Sequence, residues 1–326
     1  MKIEFVLGIS LVVLLIICGV MIFTSNIENS TSIENKHIIP LSPTITNGSN
    51  EIAGKISHNI IYSQESPMMM GSGMTNKIEI YKTIPPEVNE TNTFLIAKKF
   101  NVTGNLRGDT TVQSKDLRYY ITITKNSGAV EYQDQDRPNE KMDSPDKLPT
   151  DDEAIKIATR FLKEHDLYPD GVVDPTPVRE NAYTVGKGND VYYGQIGVWY
   201  HRMLNGFRVE DTQLIVYIGG NGEVIGYYSN WRNYQPYQEY PVTSSQSAFG
   251  SLVTNGIPVG MNSPDSQVSI NDTYLAYKTT AGAYSENYLE PVWVFKGNVL
   301  VNGNPVMPIK QYIPALTDES VKSLSS

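Results

Sequence analysis

The sequence predicts an α+β fold, with an N-terminal transmembrane helix followed by tandem units in which a short helix precedes an antiparallel sheet. Three observations predict it. Nineteen residues from Phe5 to Phe23 carry no charge and are mostly Val, Leu, Ile and Phe. Past residue 75, a short helical stretch followed by Tyr-rich strands with Gly or Asn-Gly between them occurs three times. The aromatic count is lopsided, with 21 Tyr against 8 Phe and 3 Trp, and Tyr suits a half-wet pleated surface.

At about 1.5 Å per helical residue, Phe5–Phe23 approaches the ~30 Å hydrocarbon core of a bilayer. It reads as an anchor or a signal peptide. Ile22, Phe23 and Thr24 stand where a cleavage site wants small residues, which favours an uncleaved anchor over residues 1–24. Leu15-Ile16-Ile17-Cys18 has the outline of a lipoprotein box, but Ile17 is bulky where a small residue is wanted, so Cys18 reads as an apolar helix residue. Lys2 flanks one side and the next cation on the other is Lys36, so the positive-inside rule puts the N-terminus in the cytoplasm. The expectation is a single-pass plasma-membrane protein with the bulk of the chain extracytoplasmic, or a secreted one if the segment is cleaved.

The composition narrows function mainly by exclusion. Lys plus Arg at 26 against Asp plus Glu at 35 gives −9, the wrong sign for binding nucleic acid by neutralising phosphates. The one Cys lies in the anchor, so the outer region forms no disulfide and no thiolate zinc site. Hydrophobic residues at 40% and charged residues at 19% are ordinary globular values.

Residues 25–75 read as a flexible stalk rich in Ser, Thr and Asn. Near its end, Met68, Met69, Met70 and Met74 have the thioether chemistry of a Cu(I) site, or of a Met-rich loop packed on a neighbour. Sequons at Asn29, Asn47, Asn89, Asn101 and Asn271 are candidate glycosylation sites in a host that glycosylates exported chains.

The first α+β unit spans 76–145, with a short helix over Phe94–Phe100 and strands at Tyr119–Thr124 and Ala129–Tyr132. In the second, 146–240, Thr150-Asp151-Asp152-Glu153 is a capping box. Ala154, Ala158, Phe161, Leu162 and His165 then form one apolar stripe, ended by Pro169-Asp170-Gly171. Strands at Ile196–Leu204, Val209–Ile218 and Glu223–Trp231 follow, joined by Asn205-Gly206 and by Gly219-Gly220-Asn221-Gly222. The third unit, 241–316, has a helix at Ser244–Val253 and strands at Thr273–Tyr277, Pro291–Lys296 and Met307–Ile313. A polar tail, 317–326, is expected to fray.

No catalytic constellation emerges. His37, His58, His165 and His201 are scattered and none has metal-binding spacing. There is no Gly-x-Ser-x-Gly elbow, phosphate-binding Gly-Lys loop or dinucleotide fingerprint. Asp134, Asp136 and Glu140 are interrupted by Arg137 and Pro138, and read as a solvated acidic turn rather than a calcium loop. The chain is therefore expected not to be an enzyme and to need no cofactor.

The stretch from Asp152 to Trp231 resembles the PepSY family, extracytoplasmic modules related to the propeptides of thermolysin-like proteases. The matching residues are Ala154-Ile155-Lys156-Ile157-Ala158, Val198-Trp199-Tyr200-His201-Arg202-Met203-Leu204-Asn205-Gly206-Phe207-Arg208-Val209, Gln213–Ile218 and Gly222–Tyr227. Leu289-Glu290-Pro291-Val292-Trp293 is similar to the closing strand of tandem members. Many members carry an Asp between the last two strands, where this chain has Gly219-Gly220-Asn221. The resemblance implies a non-enzymatic binding module that modulates a protease, a membrane sensor or another envelope protein. The alternative is a surface protein binding a small ligand or metal. Trp199, Tyr200, Arg202 and Phe207, on the hairpin Trp199–Val209, are the candidate partner-binding residues.

Overall fold

Alternation of side chains across strands, rather than helical periodicity, dominates the chain: strands make up 54% and helices 20% of the described residues. The structure, a computed structural model, describes residues 54–56, 59–62, 76–136, 148–184, 191–259 and 266–325. In chain order the elements are β1 Gly54–Ile56, β2 Ile60–Tyr62, β3 Lys77–Thr83, α1 Glu90–Lys99, β4 Gly104–Arg107, β5 Thr111–Ser114, β6 Tyr119–Ile123 and β7 Val130–Asp134. Next come α2 Asp151–Glu164, β8 Val172–Thr184, β9 Val191–Leu204, β10 Phe207–Ile218, β11 Val224–Ser229 and β12 Tyr234–Pro241. The chain ends with α3 Ser245–Asn255, β13 Ile257–Val259, β14 Ser266–Lys278, β15 Tyr288–Val301, β16 Asn304–Pro314 and α4 Asp318–Ser325. The described residues from 54 to 323 belong to one compact unit.

The expected α+β class of tandem helix-plus-sheet PepSY-like units behind a transmembrane helix is corrected. The fold is a mixed sheet of 14 strands whose path runs β12-β3-β15-β14-β10-β11-β7-β6-β5-β4, with β2, β8, β9 and β16 joined off it, beside a two-stranded pair β1-β13. No helix among the described residues is long and apolar enough to cross a membrane. Residues 5–23 lie outside the described residues. What the repeat pattern missed is that long strands share edges. On one edge, β10 pairs antiparallel with β11 through Leu214–Ile218 and parallel with β14 through Val209 and Glu210, while its other edge follows β9. Likewise β15 gives one edge to β3 at Tyr288 and Leu289 and then to β16 from Val292 onward.

Local signals hold where the chemistry is short-range. Glu153 Oε2 accepts from the Thr150 amide at 2.9 Å and Thr150 Oγ1 accepts from the Glu153 amide at 3.4 Å, completing the capping box of α2. His165 is the C-cap of α2, and its ring meets Phe161 at 4.4 Å at the end of the stripe. Asn205-Gly206 and Asn302-Gly303 turn β9 into β10 and β15 into β16 with the paired positive φ angles of a tight hairpin. α1 begins earlier than expected because Asn89 Oδ1 accepts from the Asn92 amide at 2.9 Å. The polar tail is also a helix, α4, held where the Ser320 hydroxyl donates to the Pro241 carbonyl at 3.1 Å.

The helices share one face of the sheet. Ala97 of α1 and Ala154, Ala158 and Leu162 of α2 pack with Ile121, Ile196, Val198, Tyr200, Leu214, Val216 and Ile218 in the main core. The face continues through the Phe207–Tyr277 ring contact at 5.8 Å to Phe295, which Phe249 of α3 meets at 6.1 Å. In the large sheet β2, β4, β8, β12 and β16 each pair with one strand only among the described residues.

A buried polar knot closes the gap between β11 and β14 where both leave β10. Arg232, just past β11, is 1% exposed and lies 3.6 Å from Glu286, 3% exposed, on the β14–β15 loop. The guanidinium donates to Thr279 Oγ1 and to the carbonyls of Thr280, Ala281 and Tyr284 at 2.6–3.2 Å. Glu286 accepts from Thr83, Tyr234, Thr279 and the Thr280 amide at 2.6–3.1 Å. Asn230 fills the fork itself, accepting from the Gln213 amide at 2.6 Å and donating to the Asp211 carbonyl at 3.3 Å.

Removing one partner of a buried ion pair typically costs about 3–5 kcal/mol because the other charge stays buried. Arg232→Met is therefore expected to lower stability by about that amount, whereas Thr150→Ala costs about 1 kcal/mol by loss of an exposed cap. Urea unfolding midpoints of the two variants check this; equal small shifts would show that the knot holds nothing together.

Candidate binding face

Strand alternation puts a second set of side chains on the face opposite the helices. Register carries Thr176, Trp199, Ile215, Tyr228, Glu131 and Thr122 across β8, β9, β10, β11, β7 and β6 in one row. Val178, Gly197, Tyr217, Gly226, Gln133 and Tyr120 form the next row. Ile215, 2% exposed, is the floor between the half-buried rings of Trp199 and Tyr228. Gly226 is bare because a Cβ there would come within 3.1 Å of the Tyr217 ring. Gly197 lets Glu180 lie across β9: a Cβ would come within 2.6 Å of Glu180 Oε1. Glu180 there accepts from Trp199 Nε1 at 3.3 Å and from Gln195 Nε2 at 2.9 Å. Tyr120 donates to Gln133 and, at 3.3 Å, to Glu131. This part of the face is an acidic, aromatic lobe.

Beyond the fork the same face becomes rich in lysine. Tyr274, Ala276, Val292, Val294 and Tyr312 form a small apolar cluster on β14, β15 and β16. Lys296 lies 4.8 Å over the Tyr274 ring, and Lys278 and Lys310 lie 5.1 and 5.3 Å over that of Tyr312. Two carboxylates of β10 stitch the lobe together. Tyr274 donates to Glu210 Oε1 at 2.8 Å, Tyr312 donates to Asp211 Oδ1 at 2.8 Å, and Lys310 reaches Glu210 at 2.9 Å. Burial pushes the Glu210 carboxyl up, but the Lys310 and Tyr274 hydrogen bonds and the charges of Lys310 and Lys296 outweigh it and hold the group below its ordinary range. Burial and then the neighbouring carboxylate push both phenols up, so they stay protonated donors at neutral pH.

Between the lobes stand His201, Arg208 and Asp174. Asp174 on β8 and Asp211 on β10 both have positive φ, at 46° and 61°, and each sits in a strand bulge, where a short Asp tolerates the left-handed backbone. Arg208 pairs with Asp174 at 3.2 Å. Burial, then the Arg208 charge, lowers the His201 pKa.

The residues singled out from sequence are not brought together. Trp199 is on the open face, but its neighbour Tyr200 points into the core and bonds Thr159 of α2 at 2.9 Å. Arg202 is buried between the rings of Trp231 and Tyr234, with its carbon 4.9 and 4.8 Å from their centroids, and Phe207 packs on Tyr277. Tyr217, Tyr228, Glu131 and Glu180 were not singled out. Alternation was the usable signal, since residues 199 and 200 of a strand must face opposite ways. It was hidden because Leu214–Ile218 is apolar on both faces.

Asn89, Asn101 and Asn271 are exposed, while Asn29, Asn47 and Met68, Met69, Met70 and Met74 lie outside the described residues. Among the described residues no group of three or more His, Cys, Asp or Glu stands together in a way that could hold a metal. Asp134 is instead buried and doubly bonded by Arg118 at 3.0 and 2.8 Å.

No family model and no curated protein matches the chain. Among solved structures it is similar to an uncharacterized protein from Eubacterium rectale ATCC 33656, at 14% identity and a TM-score of 0.46, over 75% of this chain and 86% of that one.

Burial, the first cause at each site, pushes Tyr81, Tyr132, Tyr200, Tyr217 and Tyr227 up to about 12. An unfolded tyrosine ionises at about 10, so these groups leave stability intact below that pH and remove it as pH rises towards about 12. Phenolate absorbance followed against pH is expected to show a late-ionising group that coincides with alkaline unfolding. Ionisation of every tyrosine at about 10 without unfolding would contradict this burial.

Proposed function

We propose that the protein is a membrane-anchored, extracytoplasmic, non-enzymatic binding module that modulates another envelope protein through the open face of its sheet. The observation that carries this reading is the group of half-buried rings on two adjacent rows, Trp199 and Tyr228 on one and Tyr217 on the next between Gly197 and Gly226. Rings held this way offer large contact area with little side-chain entropy left to lose. The titratable groups around the fork support it as well. Glu210, Asp211, Tyr274, Tyr312 and Lys310 bond one another rather than converging on one point where a reacting atom would sit. On this reading residues 5–23 hold the module at the membrane, and the likeness of residues 152–231 to PepSY modules makes a protease or sensor the partner class.

Crosslinking the full-length protein in its native membrane, with mass spectrometry of the products, tests the proposal. A recurrent protein partner is expected, with its yield falling roughly tenfold in a Trp199→Ala/Tyr217→Ala variant, as for the central aromatic residues of an interface. A bait-only result, or a partner retained at full yield by the variant, would overturn it.

A further inference from the structure

We infer that the acidic lobe, with Trp199, Tyr217 and Tyr228 between Glu131 and Glu180, seats an extended partner segment bearing lysine or arginine. The inference rests on the binding-face reading and names the chemistry of what binds there.

Charge on the face is the first argument. Nine described Asp and Glu side chains, Asp109, Asp134, Asp136, Asp151, Asp166, Asp174, Glu210, Asp211 and Glu286, are within ion-pair distance of a cation. Glu131 and Glu180 are not: their hydrogen bonds come from the neutral groups of Tyr120, Trp199 and Gln195. The two rows that cross this lobe from β8 to β6 contain no Lys or Arg. The whole chain carries −9, which adds to the attraction of a basic segment.

The rings give the second argument. Elsewhere this fold lays lysines over its tyrosines, with Lys82 3.8 Å from the Tyr237 centroid and Lys296 4.8 Å from that of Tyr274. Among the described residues no such cation lies over Trp199, Tyr217 or Tyr228. A ring face and a carboxylate together favour a cation that neither would hold strongly alone. Burial first, and then the charges of Glu180 and Glu131, push the Tyr217 phenol up, so one ring lies within reach of both carboxylates.

Spacing then defines the segment. Glu180 leans onto β9, and Glu131 is on β7, three strands further along. At about 4.8 Å per strand that separation is about 14 Å, which an extended chain covers in about four residues. Two basic residues four positions apart on a segment crossing the strands would therefore meet both carboxylates with the backbone over Tyr217.

The test uses the purified full chain and short Gly/Ser peptides carrying either two lysines four positions apart or two glutamates at the same places. Binding is read from the Trp199 indole NMR signal. The lysine peptide is expected to bind and the glutamate peptide not, with binding weakening steeply as salt is raised. Glu131→Gln and Glu180→Gln, which keep the shape, should each weaken it about fivefold. Equal binding of both peptides, no binding of either, or indifference to the Gln variants would overturn the inference. Failure here, with the Trp199→Ala/Tyr217→Ala variant still losing its crosslinked partner, would leave the binding face standing and remove only the cationic segment. Retention of that partner by the variant would remove the face itself.

Discussion

The Arg232–Glu286 pair is the constraint on which the rest of the sheet depends. β10 gives one edge to two strands, and two strands that share an edge must separate somewhere. The gap exposes backbone groups that no ladder satisfies, and buried backbone groups left unpaired are costly. The chain fills it with side chains that have many bonding directions: an Asn in the fork, and an Arg that reaches four acceptors. The same loop touches the open face, because Gly282 lies where a Cβ would overlap the Tyr228 hydroxyl, and its carbonyl accepts from Ser127. The positions of β14, β11 and Tyr228 thus follow from one buried charge pair and the loop it holds.

What the sequence made legible was local. The capping box at Thr150, the Asn-Gly turns at 205 and 302 and the stripe of α2 each rest on contacts within a few residues, and each is present. The global assembly was not legible, because edge sharing is decided by residues far apart, such as Val209 with Tyr277. β8 is absent from the strands expected from sequence; as an edge strand it tolerates Pro175 and Pro177, and its bulge leaves Pro175 outside the ladder. The open face was half legible. Trp199 was selected for its chemistry, but Tyr200 and Arg202 beside it serve the core, and Glu180 and Glu131 come to the lobe from strands that meet it only in space.

The two faces of the sheet differ in the way their polar groups are handled. Under the helices the side chains are apolar and the few polar groups, such as Tyr200 with Thr159, are paired in isolation. On the open face, hydroxyls, carboxylates and ammonium groups bond in chains running from strand to strand, as from Lys310 through Glu210 to Tyr274. Such chains hold ring orientations without covering them. This is how a sheet can present aromatic rings to solvent in fixed positions while the helices supply the apolar burial that keeps it folded.

The unpaired edges bear on a different matter, the fate of the protein at high local concentration. A bare strand edge is a template on which another chain can add itself, and repeated addition is the route to fibrils. Here β8 carries Pro175, Pro177, Arg179 and a bulge, β12 carries Pro236 and Pro241 with a bulge, and β16 carries Pro305, Pro308, Lys310 and Pro314. β4 is only four residues long and ends in Arg107. In β8, β12 and β16 the prolines interrupt the row of amides that a docking strand would need. Proline, charge, bulges and short length at these four edges therefore disfavour the addition of a further strand there.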